Sequence, residues 1–279
     1  MQKTLALAID FKTFTPSILK TGLFLIKNVY LEKKIILFHV IEYFLTPPHY
    51  ILPYFREEKK KLEAQLLEIS QEFQKENILP DIHVLLGNFW NVLSEFIETV
   101  KPHLIIMGYQ PHKVKISTGE KMIERLKSNF LIVKQKPVEK IENILCCIDF
   151  SETSLECLKM ANFLSERLNS KVKVLNVIPQ IQIKDKLLEK EALEEERLER
   201  EKKWQNLLKS LNEKKSLKNL EFFIKYGEKN KEITKIIRTD HPDILIIGKR
   251  GKVIKTGLGS FTKEILKTLE IPLLIVEEF

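Results

Sequence analysis

The strongest constraint on how this chain folds is that its second half repeats its first. ALAIDF at residues 6–11 matches LCCIDF at 145–150, each placing Ile-Asp-Phe at the end of an apolar run. HVI at 39–41 matches NVI at 176–178, and GNFWNVLSEFI at 87–97 matches GEKNKEITKII at 227–237. PHLIIMG at 102–108 matches PDILIIG at 242–248, and LIV at 131–133 matches LIV at 274–276. The offset stays between 137 and 143 residues. A period that long repeats a whole domain, since solenoid units run to only about 20–50 residues. The joint is VKQKPVEKIEN at 133–143, polar, charged and punctuated by Pro137. Two domains are therefore expected, at 1–138 and 139–279.

Each half alternates strand and helix. In the second, ENILCCID is a continuous apolar run, as a strand covered on both faces should be. SETSLECLKMANFLSERL has apolar residues at helical spacing, with Ser151 or Thr153 placed to cap it. KVKVLNVIP is a second strand. From about Lys184 to Leu211 the leucines and Trp204 predict a long amphipathic helix whose charges form a solvated face. LEFFIKYG, KEITKIIRTD, DILIIG, a glycine stretch opening a helix, and PLLIVE follow. Strands alternating with helices, without hairpin signals, imply a parallel sheet. The expected fold is α/β, two tandem doubly wound Rossmann-like domains of five strands and four helices each. Ligands of such sheets bind beyond the carboxyl ends of the strands, where strand order reverses. That rule gathers Asp149, Val177 and the loop after Gly248.

Composition narrows the function classes. The net charge of +8 is shared equally: 19 Lys+Arg against 15 Asp+Glu in residues 1–139, and 27 against 23 in the remainder. Interleaved charges of this kind make a solvated surface, and a nucleic-acid partner is not expected. No run approaches the roughly 18 apolar residues of a membrane span. The N-terminal apolar run meets Asp10 too soon for a signal peptide, so a cytoplasmic location is expected. Cys146, Cys147 and Cys157 show no C-x-x-C spacing and read as small buried hydrophobes. No Walker-type G-x-x-x-x-G-K-[ST], G-x-S-x-G or H-x-x-x-H occurs. Gly257-Leu-Gly259 begins a G-x-G-x-x-G, but Thr262 stands at its last position, and the segment does not follow the first strand of its half.

What remains is GKRGKVIKTGLGSFTKEIL at 248–266, holding four of the nine glycines. A helix start offers unpaired N–H groups and a partial positive charge. Glycine lets a phosphate approach the backbone. Ser260 can cap the helix or bond a phosphate oxygen, and Lys249, Arg250, Lys252 and Lys255 add positive charge. The same residues read as readily as a glycine-rich turn beside a solvated basic loop.

The order strand, Gly248-x-x-Gly251, basic loop, Gly259-Ser260, helix, PLLIV resembles the signature of the universal stress protein family. With IDFSE after the first strand and NVI in the second, the resemblance covers the whole chain as two tandem copies. It implies ATP binding, with Mg2+ or Mn2+ able to bridge the phosphates. Ile148 and Asp149 would meet the adenine and ribose end, and Val177 the adenine. Ile247 and Gly248 would flank the ribose. Gly251, Gly259, Ser260 and Phe261 would hold the phosphates, with Arg250 beside them. The loop between Gly251 and Gly259 is seven residues, two fewer than the family pattern.

The first half has GYQPHKVKISTGEKMIERL at the matching place. Pro111 replaces Gly251, removing an N–H donor. Glu120 replaces Ser260, placing a carboxylate where phosphate would lie, at a cost of roughly 4 kcal/mol for like charges about 4 Å apart. The first domain is therefore expected to bind no nucleotide. The resemblance also implies pairing through the last strands, within one chain or in a homodimer. A regulatory ATP-binding protein with little or no catalysis is the leading expectation. The alternatives are an interaction module of the same fold without nucleotide and an adenylating enzyme, the last lacking its phosphate motifs.

Overall fold

The computed structural model describes residues 3–31, 34–43, 51–111, 117–180, 185–212, 220–251, 257–268 and 270–277. Lys252, Lys255 and Lys184 lie outside the described residues. The chain divides into two compact units, Met1–Glu139 and Lys140–Phe279.

The first unit runs β1 (Leu5–Ala8), α1 (Thr15–Asn28), β2 (Ile35–Glu42), α2 (Leu52–Gln74), β3 (Asp81–Gly87), α3 (Phe89–Val100), β4 (Leu104–Gly108), α4 (Thr118–Arg125) and β5 (Phe130–Val133). Its strand order is β3-β2-β1-β4-β5, and the neighbours pair in parallel. Leu5, Ala6 and Leu7 sit opposite Leu104, Ile105 and Ile106. All six are buried, because helices cover both faces of a parallel sheet.

The second unit repeats the plan with β6 (Asn143–Cys147), α5 (Glu152–Leu168), β7 (Lys171–Ile178), α6 (Lys186–Asn212), β8 (Leu220–Tyr226), α7 (Lys229–Asp240), β9 (Ile244–Gly248), α8 (Ser260–Thr268) and β10 (Leu273–Val276). Its order is β8-β7-β6-β9-β10, again parallel. The two units are thus tandem doubly wound α/β domains of five strands each. The order reverses between β6 and β9, where Ile144, Leu145 and Cys146 face Ile244, Leu245 and Ile246. A ligand of this unit belongs beyond Cys147 and Gly248. Cys146, Cys147 and Cys157 are free and buried.

One element departs from its expected role. α6 buries Trp204, stacked on Phe222 at 4.6 Å between centroids and 15° between planes. Its leading leucines, Leu187, Leu188 and Leu198, are exposed. A helix of 27 residues spans about 40 Å, whereas strands of seven or eight residues span about 25 Å. Only part of it can lie over the sheet. Its exposed length carries ion pairs within the helix, Arg197 with Glu194 and Glu201, Arg200 with Glu196 and Lys203 with Glu199.

Candidate functional site

β6 runs through Cys147 and Ile148 into a sharp turn at Asp149 and Phe150. Phe150 holds φ at 59°, in the left-handed region that costs a non-glycine residue about 1 kcal/mol or more. Asp149 secures the turn: its Oδ1 accepts bonds from the Ser151 N–H (3.0 Å) and the Ser154 hydroxyl (3.0 Å). The Ser154 hydroxyl in turn accepts the Asp149 N–H at 3.1 Å. Asp10 does the same in the first domain, accepting from the Lys12 N–H and the Thr15 hydroxyl, with Phe11 at φ 53°. This is an Asx turn, and it serves both domains alike. Burial raises the Asp149 pKa, but the Ser151 and Ser154 bonds and the charge of Lys229 outweigh it. The carboxyl is held below its ordinary value.

Beyond β6 and β9 opens a cavity of about 240 Å³. Asp149, Ile247, Gly248, Arg250, Gly251, Gly259, Ser260 and Phe261, all expected from sequence, line it together. Ile148 and Val177 are not among the lining residues. The Ile148 backbone is engaged elsewhere, its N–H donating to the Leu175 carbonyl and its carbonyl accepting from the Asn176 amide. Asp149 is expected at the adenine and ribose end. Its Oδ2 lies 2.8 Å from where a Cβ on Gly251 would stand, so it also borders the glycine expected to hold phosphate. A side chain at Gly251 would require that carboxylate to shift. A Cβ at Gly259 would come no closer than 3.4 Å to the chain, so packing alone does not demand glycine there.

α8 begins at Ser260, which is its first residue and not its cap. The helix is pinned to β9 by the Thr262 hydroxyl, which donates to the Gly248 carbonyl at 2.9 Å, and by the Gly259 N–H, which donates to the Lys249 carbonyl at 3.0 Å. Ser260, Phe261 and Thr262 of its first turn, where a helix has N–H groups without intrahelical partners, line the cavity. Two of the cations expected to face phosphate are otherwise engaged. Lys249 is 1% exposed and paired with Glu277, itself 2% exposed. Arg250 reaches Glu277 Oε1 at 2.6 Å and the Gly257 carbonyl at 3.1 Å. A cation that sequence reasoning missed lines the cavity instead: Lys229, the first residue of α7, with Nζ 3.9 Å from the centroid of the Phe261 ring. Its signal was the position straight after Gly227-Glu228, where a strand ends and a helix starts. Cys147 also lines the cavity, its thiol pushed up to about 12 by burial against the opposing charge of Lys229.

The first domain lines the matching region differently. A Cβ on Gly108 would fall 2.2 Å from Phe14, whereas the corresponding Gly248 faces the smaller Thr153. Glu120 does not project to solvent. It is buried, accepting the Tyr109 hydroxyl at 2.6 Å while its N–H donates to the Ser117 hydroxyl. Burial first, then the bond and charge of Glu120, push the Tyr109 phenol above its ordinary pKa. The cavity of about 250 Å³ that remains is lined mainly by apolar residues, with Asp10 and His39.

Residues 140–277, the whole of the second domain's fold, match the model of the universal stress protein family. Through this domain the chain belongs to the universal stress protein family. No curated protein sequence is significantly similar. Among solved structures, a universal stress protein from Archaeoglobus fulgidus DSM 4304 is 18% identical, with 99% of each chain covered and a TM-score of 0.70. A functionally unknown protein from Pseudomonas aeruginosa PAO1 is 14% identical over 98% of this chain and 92% of its own, at a TM-score of 0.66. A candidate universal stress protein from Pseudomonas aeruginosa UCBPP-PA14 is 13% identical over 99% and 92%, at 0.67. These likenesses span both domains and establish the fold. Among the described residues no helix is long and apolar enough to cross a membrane, and no group of three His, Cys, Asp or Glu converges as a metal site.

Proposed function

We propose that this universal stress protein is a stress-response regulator whose second domain binds one adenine nucleotide, ATP, while its first domain binds none. The observation that carries this reading is the cavity at the strand-order switch point, walled by Gly248, Gly251 and Gly259 and faced by the first turn of α8. A helix start favours anions through its donors and its dipole, and the glycine that packing does not require, Gly259, leaves the approach open. The first domain supports the asymmetry, since the described lining of its matching cavity is mainly apolar and holds no Lys or Arg, and Glu120 stands where Ser260 opens α8. Catalysis has little to work with: among the described lining residues Asp149 is the sole carboxylate, and it is bonded to Ser151 and Ser154.

Calorimetric titration of the full chain with ATP tests this. One site per chain is expected, with binding abolished in Ser260→Glu, which copies the first domain at an exposed helix start. No heat from the wild type would overturn nucleotide binding and leave an interaction module. Two sites per chain would overturn the asymmetry, and multiple-turnover phosphate or pyrophosphate release would restore an enzyme.

A further inference from the structure

The two domains turn their chains alike at the site but exchange a cation for an aromatic ring. In the second, Lys229 opens α7 and Phe261 stands second in α8, with the ammonium over the ring face. In the first, Phe89 opens α3 and lines the cavity, and Lys121 takes the place of Phe261. Arg250 likewise becomes Gln110. The described lining of the first cavity therefore holds no Lys or Arg, and that of the second holds Lys229 and Arg250.

We propose that Lys229 is a phosphate-binding residue that lets the second domain hold a nucleotide without a divalent cation, an inference that rests on the nucleotide reading above. The charges facing the cavity make the need plain. Asp149 presents an ionised carboxylate against Gly251, and a phosphate beside it needs a counter-charge. Lys249 is sealed against Glu277, and Arg250 is held by Glu277 and the Gly257 carbonyl. Lys229 comes from a different element, its ammonium over the face of Phe261 and its charge favouring the ionised Asp149. A cation over an aromatic face is only weakly held where water has access. Its three donors are therefore ready to form charge-assisted bonds to phosphate oxygens. A bound divalent ion would draw on the protein through Asp149 alone among the described lining carboxylates, and Oδ1 of that residue already accepts two bonds. Lys229 supplies the charge in its place.

The experiment is calorimetry of the full chain with ATP, once in EDTA and once in Mg2+, for wild type, Lys229→Met and Lys229→Arg. Methionine keeps an unbranched apolar stem over Phe261 while removing the charge. Wild-type affinity should be the same in both buffers to within about threefold, a difference well under 1 kcal/mol. Lys229→Met should lose about tenfold or more in EDTA, recover part of it in Mg2+, and regain it in Lys229→Arg, as expected for one lost charge-assisted contact. Its melting temperature should be unchanged. Wild-type binding that requires Mg2+, or a Lys229→Met variant that binds ATP normally in EDTA, would overturn the inference alone. Equal loss in both buffers together with a lowered melting temperature would assign Lys229 a merely structural role. A wild type that binds no ATP in either buffer overturns the nucleotide reading and this inference with it.

Discussion

Tyr109 donates a 2.6 Å hydrogen bond to Oε1 of Glu120, and both residues are buried. The second domain has Lys249 and Ser260 at these positions, so the pair is particular to the first domain. A bond to a carboxylate is worth about 1.5–3 kcal/mol when its loss leaves the acceptor buried. Tyr109→Phe should therefore lower the stability of the first domain by about 2 kcal/mol in urea unfolding. ATP titration of the same variant should be unaffected, because the second domain carries the proposed site.

His103 gives the first domain an acid sensitivity. Its Nδ1 lies 3.0 Å from the Tyr30 hydroxyl, and burial, aided by the charge of Lys3, pulls the imidazole down to about 4. A folded pKa below the unfolded one means the unfolded chain takes up the proton first as pH falls. The stabilisation is complete above about pH 6.5 and is lost as pH falls toward 4, to a total of up to about 3 kcal/mol. Urea unfolding at pH 7, 5 and 4 should show that loss, and His103→Gln should flatten it. An equally steep profile in the variant would place the sensitivity elsewhere.

The fold was legible because hydrophobic runs repeat at one offset: ALAIDF and LCCIDF end on the same aspartate and make the same left-handed turn at Phe11 and Phe150. The glycines of the site were legible from their clustering before a helix, and the structure adds that a side chain at Gly248 or Gly251 would press on Thr153 or Asp149. Partners across the fold were not. Nothing local to Lys249 shows that Glu277, 28 residues on, would bury and neutralise it. Lys229 reads as one more surface lysine until α7 is set beside α8. The leucines of α6 have helical spacing, but spacing does not tell how far the underlying strands extend.

Trp204 is the anchor of α6. It is 7% exposed and stacks on Phe222, whereas Leu187, Leu188 and Leu198 remain exposed. Losing a buried tryptophan costs about 3–5 kcal/mol. Trp204→Ala should reduce the stability of the second domain by about that much and accelerate hydrogen exchange across Lys186–Asn212. Leu187→Ala, by contrast, should change stability by less than about 0.5 kcal/mol. A large loss from Leu187→Ala would show that the leading half of the helix is packed in solution.

Glu277 joins Lys249 and Arg250 at the end of β10, with the Lys249 and Glu277 side chains both almost wholly buried. Removing one partner of a buried ion pair leaves the other charge in a medium that cannot solvate it, at about 3–5 kcal/mol. Glu277→Leu and Lys249→Met should each destabilise the second domain by that order. Replacing both charges together removes the desolvation penalty as well as the attraction, and similar apolar pairs are commonly neutral or stabilising. Lys249→Met with Glu277→Leu should therefore unfold within about 1 kcal/mol of the wild type, a large coupling in a double-mutant cycle. Arg250 loses its 2.6 Å partner in that double variant, so its guanidinium becomes free to turn toward the cavity. ATP affinity should then hold or rise, measured beside the urea curves. Additive losses in the cycle would show that the pair is not energetically coupled.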